Sequence, residues 1–185
     1  MKNLFSILLC IAAVFTSQAS TAQSRLSISQ ALDFWISVTE ERVVGVVEVM
    51  PEEKYSFAPN SNGGEFTGVR TFAEQAKHLA ANNYRMAAYI IGQEPTREQE
   101  NETGPAAVRS KAQIVEYVKG SFVVLHRAIA TINEKNVVEP LANGPSQRQR
   151  TRLQLAVDVV AHSFDHYGQL VEYLRMNGII PPASH

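Results

Sequence analysis

Two histidines near the C-terminus, His162 and His166, are separated by four positions. In an α-helix this spacing places both imidazole rings on one face, close enough to bind a single ion. The same face carries large and mostly apolar residues: Leu155, Val159, Leu170 and Tyr173. Both rings should therefore point towards a buried interior, where their nitrogens need partners that a metal ion would provide.

A third histidine, His78, lies one residue before Leu79, at the edge of the apolar stripe of an earlier predicted helix. Metal sites in helical bundles use inward-facing side chains from facing helices, and three His ligands with an open position are typical of catalytic sites. Imidazole nitrogens favour zinc, nickel, iron or copper over magnesium or calcium, and we expect zinc or nickel before iron or copper. The alternative is that these rings are ordinary buried histidines satisfied by backbone or carboxylate groups.

Three polar residues lie three or four positions from one of these histidines and could orient a ligand or a bound water: Gln169, Asp158 and Asn82. They could equally be ordinary flanking residues, and for Asp158 that interpretation is favoured. His126 is expected at the surface or at a helix edge, and His185 in a disordered C-terminal tail. The sequence does not single out a catalytic residue.

The first 22 residues have the pattern of an export signal. Lys2 provides a positive start, an apolar run follows over residues 4–15, and small residues lead up to Ala22. This pattern predicts a secretory signal peptide over residues 1–22, cleaved after Ala22 or, as a second choice, after Ala19. Because the run is too short to span a bilayer comfortably, we expect an exported protein, periplasmic or extracellular, with no stable membrane anchor after signal removal.

The composition bounds the remaining possibilities. The chain has 185 residues, 45% hydrophobic and 19% charged, which suits one domain over residues 23–185. The formal net charge of −1 disfavours nucleic-acid binding, which needs a broad positive field. The single cysteine, Cys10, excludes a disulfide framework, a zinc finger and an iron–sulfur site. Removing residues 1–22 leaves 163 residues, a net charge of −2 and no thiol, so histidine is left as the ligand for soft metals.

Apolar residues recur at spacings of three and four in four long segments, which predicts four amphipathic helices. Their expected bounds are Ser27 to about Met50, Thr71 to Gly92, Ser110 to Ile132, and roughly Arg150 to Asn177. Capping boxes open the second and third segments, and Pro- and Gly-containing connections separate the helices. Since no strand alternation is present, the sequence predicts an all-α four-helix bundle with long crossover connections.

The last predicted helix is apolar on a second side, formed by Leu153, Val157, Val160, Phe164 and Val171. A helix that is apolar on two sides is buried on two sides. This helix could lie deep among its neighbours, or its second side could be a subunit interface.

Two segments carry a family resemblance. Residues 70–80 (RTFAEQAKHLA) and residues 162–170 (HSFDHYGQL), the latter continuing as YLRMNG and a Pro-Pro pair, resemble motifs of the DinB-like (DinB/YfiT) superfamily. The resemblance covers nearly all of the chain after the predicted signal. It implies a four-helix bundle, often a homodimer, that holds a divalent metal ion through three histidines, here His78, His162 and His166.

These observations support hypotheses from different functional classes. The first is an exported metal-dependent enzyme of the transferase or hydrolase type, with a small-molecule substrate that the sequence does not identify. The resemblance includes thiol-dependent transferases and isomerases, but export away from the cytoplasmic thiol pool argues against a thiol cofactor. The second is a non-catalytic metal-binding or stress-response protein, in which a fourth protein ligand would close the site. A DNA-associated role is disfavoured by the negative charge and the export signal.

Overall fold

The computed structural model describes residues 25–60, 68–146 and 151–182. The described ranges contain four α-helices, α1 (Ile28–Val49), α2 (Phe72–Ile90), α3 (Lys111–Ile129) and α4 (Arg152–Met176), and a 3-10 turn over Glu52–Lys54. They contain no β-strand, so the predicted all-α fold class is confirmed. The predicted signal peptide over residues 1–22 and His185 lie outside the described residues.

All four helices begin with a capping box, in which a Ser or Thr side chain and a Glu or Gln side chain exchange hydrogen bonds with each other's backbone N–H. The pairs are Ser27 with Gln30, Thr71 with Glu74, Ser110 with Gln113, and Thr151 with Gln154. Glycines with positive φ follow α2 and α4, at +79° for Gly92 and +70° for Gly178. Glycine adopts this conformation without strain, which explains why both helices stop there.

Two helix ends differ from the sequence prediction. α3 ends at Ile129 rather than Ile132, although the Ile132 side chain remains buried in the core. α4 begins at Arg152 rather than near Arg150, because Thr151 has the extended backbone of an N-cap residue.

The helices are not arranged in sequence order. α1 packs against α3 and α4, and α2 packs against the same two helices. Two pairs of consecutive helices, α1 with α2 and α3 with α4, therefore lie diagonally across the bundle, whereas the consecutive helices α2 and α3 are neighbours. The connection over residues 50–71 must cross over, as predicted; the connection over residues 130–151 must cross over as well, and α2 becomes a direct neighbour of α4.

The core is continuous between the four helices. Its largest fully buried side chains include Phe72, Leu79, Phe122, Leu125, Leu155 and Leu170. Burial of one such side chain contributes roughly 1.5–3 kcal/mol to folding. The face of α4 that carries the two histidines points into this core, as predicted. Within the described ranges, none of the helices is both long enough and apolar enough to cross a membrane.

The second apolar side of α4 is only partly covered within one chain. Val171 is buried, whereas Leu153 and Val157 are 37% and 56% exposed. Val157 lies in a shallow apolar groove with Trp35 of α1 and Phe164. Burial of this second side among neighbouring helices is therefore wrong in the first half of α4, and the subunit interface stays a prediction.

Candidate metal centre

Three histidine rings meet between α2 and α4. Nε2 of His162 lies 3.0 Å from Nε2 of His166 and 3.3 Å from Nε2 of His78. One ligand atom from each ring lies within 4.8 Å of the others. His78 and His166 are both 7% exposed, and His162 is half-buried. The structure thus brings together the three residues that the sequence singled out, although His78 and His162 are 84 positions apart.

The outward-facing nitrogen of His78 defines the protonation of its ring. Nδ1 of His78 lies 2.9 Å from the backbone carbonyl oxygen of Glu102. Since a carbonyl oxygen only accepts, Nδ1 carries the proton of the neutral ring and Nε2 presents a lone pair to the other histidines. This is the arrangement in which an outer hydrogen bond orients a histidine for metal binding.

His166 is oriented by a chain of side chains that crosses between the two helices. Nε2 of Gln75 lies 2.6 Å from Nδ1 of His166, and it also donates to Oε1 of Gln169. Gln169 donates in turn to Asp165 over 3.0 Å. Rotation of a side-chain amide by 180° exchanges the positions of its oxygen and nitrogen without changing how it packs. If His166 bound an ion through Nε2, its neutral ring would carry the proton on Nδ1, and Gln75 would have to present its amide oxygen to that N–H.

Sequence reasoning missed Gln75 and assigned Gln169 a more direct role than it has. Gln169 makes no hydrogen bond to a histidine among the described residues, but acts on His166 through Gln75. Gln75 is 2% exposed and lies three residues before His78. Residues three apart share a helical face, so the spacing to His78 was the signal that could have identified it.

The third ring, His162, has no oriented outer partner among the described residues. Its Nδ1 is buried and makes no hydrogen bond to any of them. Its Nε2 faces the two other Nε2 atoms, and a hydrogen bond between two nitrogens needs one proton shared between them. When three neutral rings all direct Nε2 to one point, their lone pairs cannot all find a hydrogen-bond donor there. One cation at that point would accept all three lone pairs. The donor set therefore fits a metal ion.

The three rings are held in the neutral form that metal binding requires. Burial, reinforced by the neighbouring histidines, lowers the pKa of His162 to about 3. Burial and the proximity of His78 lower the pKa of His166 to about 4. The pKa of His78 is also lowered, mainly by burial, although the hydrogen bond to Glu102 opposes the change.

A cavity of about 510 Å³ opens beside His78 and His162. Its wall includes both Asn82 and Asp158, the two other polar residues that the sequence placed near the histidines. Asn82 is 4% exposed, and its side-chain oxygen accepts a hydrogen bond from Arg85. Asp158 is half-buried and does not belong to the group of facing ligand atoms.

His126 belongs to a different cluster between α1 and α3. Its Nδ1 contacts Asp33 and its Nε2 lies 3.0 Å from Glu40. Burial alone would lower the pKa of His126, but the hydrogen bonds with these two carboxylates outweigh burial and raise it. The predicted edge position is consistent with a side chain that is 26% exposed, but the sequence did not indicate the two carboxylates.

The facing group contains three histidines and, within the described residues, no fourth His, Cys, Asp or Glu close enough to complete it. Zinc sites with three protein ligands keep a position for water or substrate, whereas structural zinc sites have four protein ligands. The arrangement can therefore hold an ion with one face open towards the cavity.

Comparison with known proteins connects this site to a family. The family model described as the DinB superfamily matches residues 36–170, a range that includes all three histidines. Comparison with curated protein sequences gives no significant match.

Solved structures agree on the fold. A conserved protein from Enterococcus faecalis is similar with a TM-score of 0.64 and 14% sequence identity. The similarity covers 82% of this chain and 97% of that protein. At this level of identity the likeness shows a shared helical fold and carries no activity with it.

Proposed function

The chain belongs to the DinB superfamily, and from that premise we propose that His78, His162 and His166 bind one divalent transition-metal ion in a metal-dependent enzyme of the transferase or hydrolase type. The observation that supports this most strongly is the convergence of three Nε2 atoms at the wall of a cavity. A stabilising metal alone would not need a cavity of about 510 Å³ on its open side.

Zinc or nickel suits this donor set best, with iron and copper as the other candidates. Three neutral imidazoles without a thiolate are borderline ligands, and they suit these ions better than magnesium or calcium. A bound divalent ion would supply Lewis-acid activation of a water or of a substrate oxygen. The protein's own part is to keep the rings neutral, to fix two of them through Glu102 and Gln75, and to hold the substrate in the cavity.

The second candidate is a non-catalytic metal-binding or stress-response protein. It uses the same three ligands and differs in having no substrate. The open side of the histidine group favours the enzyme, because a sequestering or structural site gains affinity from a fourth protein ligand.

The site is tested by the metal content of purified protein. We expect about one ion per chain in the wild type and a loss of that ion in His162→Ala and His166→Ala. His126→Ala is the matched control, since it removes an imidazole at the separate cluster of Asp33 and Glu40. Equal metal content in all four proteins would refute the assignment of the ligands.

The enzymatic part is tested by a screen of ester and thiol substrates with the metal-loaded wild type and the metal-free His162→Ala variant. Turnover that requires both the ion and His162 is expected. Full metal occupancy with no turnover of any ester or thiol in the screen would favour the non-catalytic candidate.

We also propose export, because a positive start, an apolar run and a small-residue end occupy residues 1–22. The test is expression of the full chain in a bacterium, followed by fractionation and N-terminal sequencing. A periplasmic or secreted product that starts at Gln23 is expected, and a chain that starts at Gln23 by design should remain in the cytoplasm. A full-length cytoplasmic product that retains residues 1–22 would contradict export.

A further inference from the structure

Arg70 lies at the cavity wall with its backbone held by a hydrogen bond and its side chain without a partner among the described residues. Its carbonyl oxygen accepts a hydrogen bond from the Tyr173 hydroxyl over 2.8 Å, which attaches the start of α2 to α4. Arg70 lines the cavity together with His78 and His162, and its charge acts on both rings. Within the described part of the chain, it makes no hydrogen bond and no ion pair. An arginine held in this way offers a free bidentate donor to a molecule in the cavity.

The other charged groups of the cavity are already engaged. Arg85 forms an ion pair with Glu102 over 3.1 Å, and Glu100 accepts a hydrogen bond from the Tyr89 hydroxyl over 3.0 Å. Asp158, the third carboxylate on the wall, has a partner of its own. Among the described residues of this wall, Arg70 is therefore the charged side chain that is left to pair with a ligand.

Two further donors on the wall are buried without a partner among the described residues. Within that part of the chain, Nδ2 of Asn82 and Nε of Arg85 make no hydrogen bond. The orientation of the Asn82 amide is fixed, because its Oδ1 accepts from Arg85 over 3.1 Å. Buried polar atoms are normally paired, and both atoms lack an acceptor. A ligand that supplies acceptor oxygens would meet this requirement.

From these observations we infer that the cavity binds a small molecule with two carboxylate groups, one of which pairs with the guanidinium of Arg70 while the other reaches the histidine site. The inference rests on the proposed function, because it takes the histidine site as the place of reaction. A singly charged planar carboxylate suits the cavity better than a phosphate dianion, since three carboxylates of the protein already line the wall.

The test compares dicarboxylates with their half-amides by calorimetry on the metal-loaded protein. Succinate, glutarate and adipate cover a range of lengths, and each half-amide keeps one carboxylate for the metal while it removes the charge of the other. For at least one length, the wild type should bind the diacid about tenfold or more tightly than its half-amide, because hydrogen bonds to charged groups are the strong ones.

Variants at Arg70 isolate its contribution. Arg70→Gln should lose most of this discrimination, and Arg70→Lys should retain part of it, since the charge remains but the fork is lost. Arg97→Gln removes the same charge at an exposed position outside the cavity wall and should behave like the wild type. Metal content and thermal unfolding are measured for each variant, so that a folding defect is not mistaken for lost recognition.

The outcomes separate the two proposals. A wild type without bound metal overturns the proposed function and this inference with it. Normal metal content with equal affinity for diacid and half-amide at every length, or discrimination that survives in Arg70→Gln, overturns the inference alone. Binding of inorganic phosphate that depends on Arg70 and is tighter than that of any dicarboxylate also overturns the carboxylate assignment.

Discussion

The side-chain amide of Gln75 on α2 lies 2.6 Å from Nδ1 of His166 on α4 and so fixes the orientation of a ring on the neighbouring helix. The contact is buried, since Gln75 is 2% exposed. His166 therefore depends on α2 for its orientation as much as on its own helix.

Replacement of Gln75 should weaken metal binding without removing a ligand. In Gln75→Leu, Nδ1 of His166 loses its partner, and loss of such an outer hydrogen bond lowers metal affinity by roughly 10- to 100-fold. A competition titration with a metal-sensitive chelator measures the affinity. Gln93→Leu, at an exposed position after α2, is the matched control and should keep the wild-type affinity. Wild-type affinity in Gln75→Leu would show that His166 needs no orienting amide.

The cluster of His126, Asp33 and Glu40 should make stability depend on pH. The pKa of His126 is raised in the fold, so the charged ring stabilises the protein fully below its ordinary pKa of about 6.5. That contribution disappears as pH rises through the higher pKa of the folded state. Urea unfolding should therefore show a larger loss of stability for His126→Gln at about pH 6 than at about pH 9.

The three site histidines also make stability depend on pH. The effect of His126 must therefore be measured as the difference in free energy of unfolding between the wild type and His126→Gln. Their pKa values are lowered, so their contribution to stability falls as pH falls, in the opposite direction to that of His126. Subtracting the His126→Gln data from the wild-type data, both in the presence of a chelator, removes this effect. A difference that stays constant between the two pH values would contradict the role of the raised pKa.

The core of the bundle can be tested with two adjacent residues on α3. Phe122 is fully buried, whereas its neighbour Val123 is 47% exposed. Phe122→Ala should lower the free energy of unfolding by roughly 3–5 kcal/mol, while Val123→Ala should change it by no more than about 0.5 kcal/mol. Chemical denaturation of both variants provides the measurement. Equal effects would mean that α3 faces the core differently from the structure described above.

The hydrogen bond from Tyr173 to the carbonyl of Arg70 should contribute to stability at the start of α2. Tyr173→Phe removes the hydroxyl and leaves that carbonyl without its partner, at an expected loss of about 0.5–1.5 kcal/mol. Tyr167→Phe is the control on the same helix, because the Tyr167 hydroxyl makes no hydrogen bond among the described residues. Thermal unfolding of the two variants should differ, and equal melting temperatures would count against the bond.

The exposed apolar side of α4 predicts a homodimer. Val157 is 56% exposed, and Trp35, in the same groove, is 51% exposed. Val157→Lys should leave the fold intact and shift the sedimentation coefficient from dimer to monomer. Val123→Lys places the same charge on α3 and should leave the association unchanged. A monomeric wild type would refute the dimer, and a dimer that tolerates Val157→Lys would place the interface elsewhere.

Local signals in the sequence were sufficient to predict the four helices. Ser27, Thr71 and Ser110 act on backbone groups only three residues away, and apolar spacing reports burial along a single helix. The start of α4 was less well predicted because the capping box of Thr151 and Gln154 was overlooked.

Contacts between helices were harder to predict. Gln75 contacts a residue 91 positions away, and Asp33 and Glu40 contact His126 across 93 and 86 positions. The apolar spacing within one helix does not show which other helix packs against it, because the arrangement of the helices in the bundle determines those pairs. The three histidines were the exception, because the hypothesis of one shared metal ion relates residues that are far apart in sequence.

The position of the site between α2 and α4 also has a consequence for the folding of the chain. A ligand bond from His78 to the ion and another from His162 would close a loop of 84 residues, much as a disulfide does, at a site that contains no cysteine. Cross-links that close long loops restrict the unfolded chain, and an ion bound only to the folded state adds stability in proportion to the logarithm of its free concentration. Through this cross-link the stability of the folded protein would depend on the supply of metal.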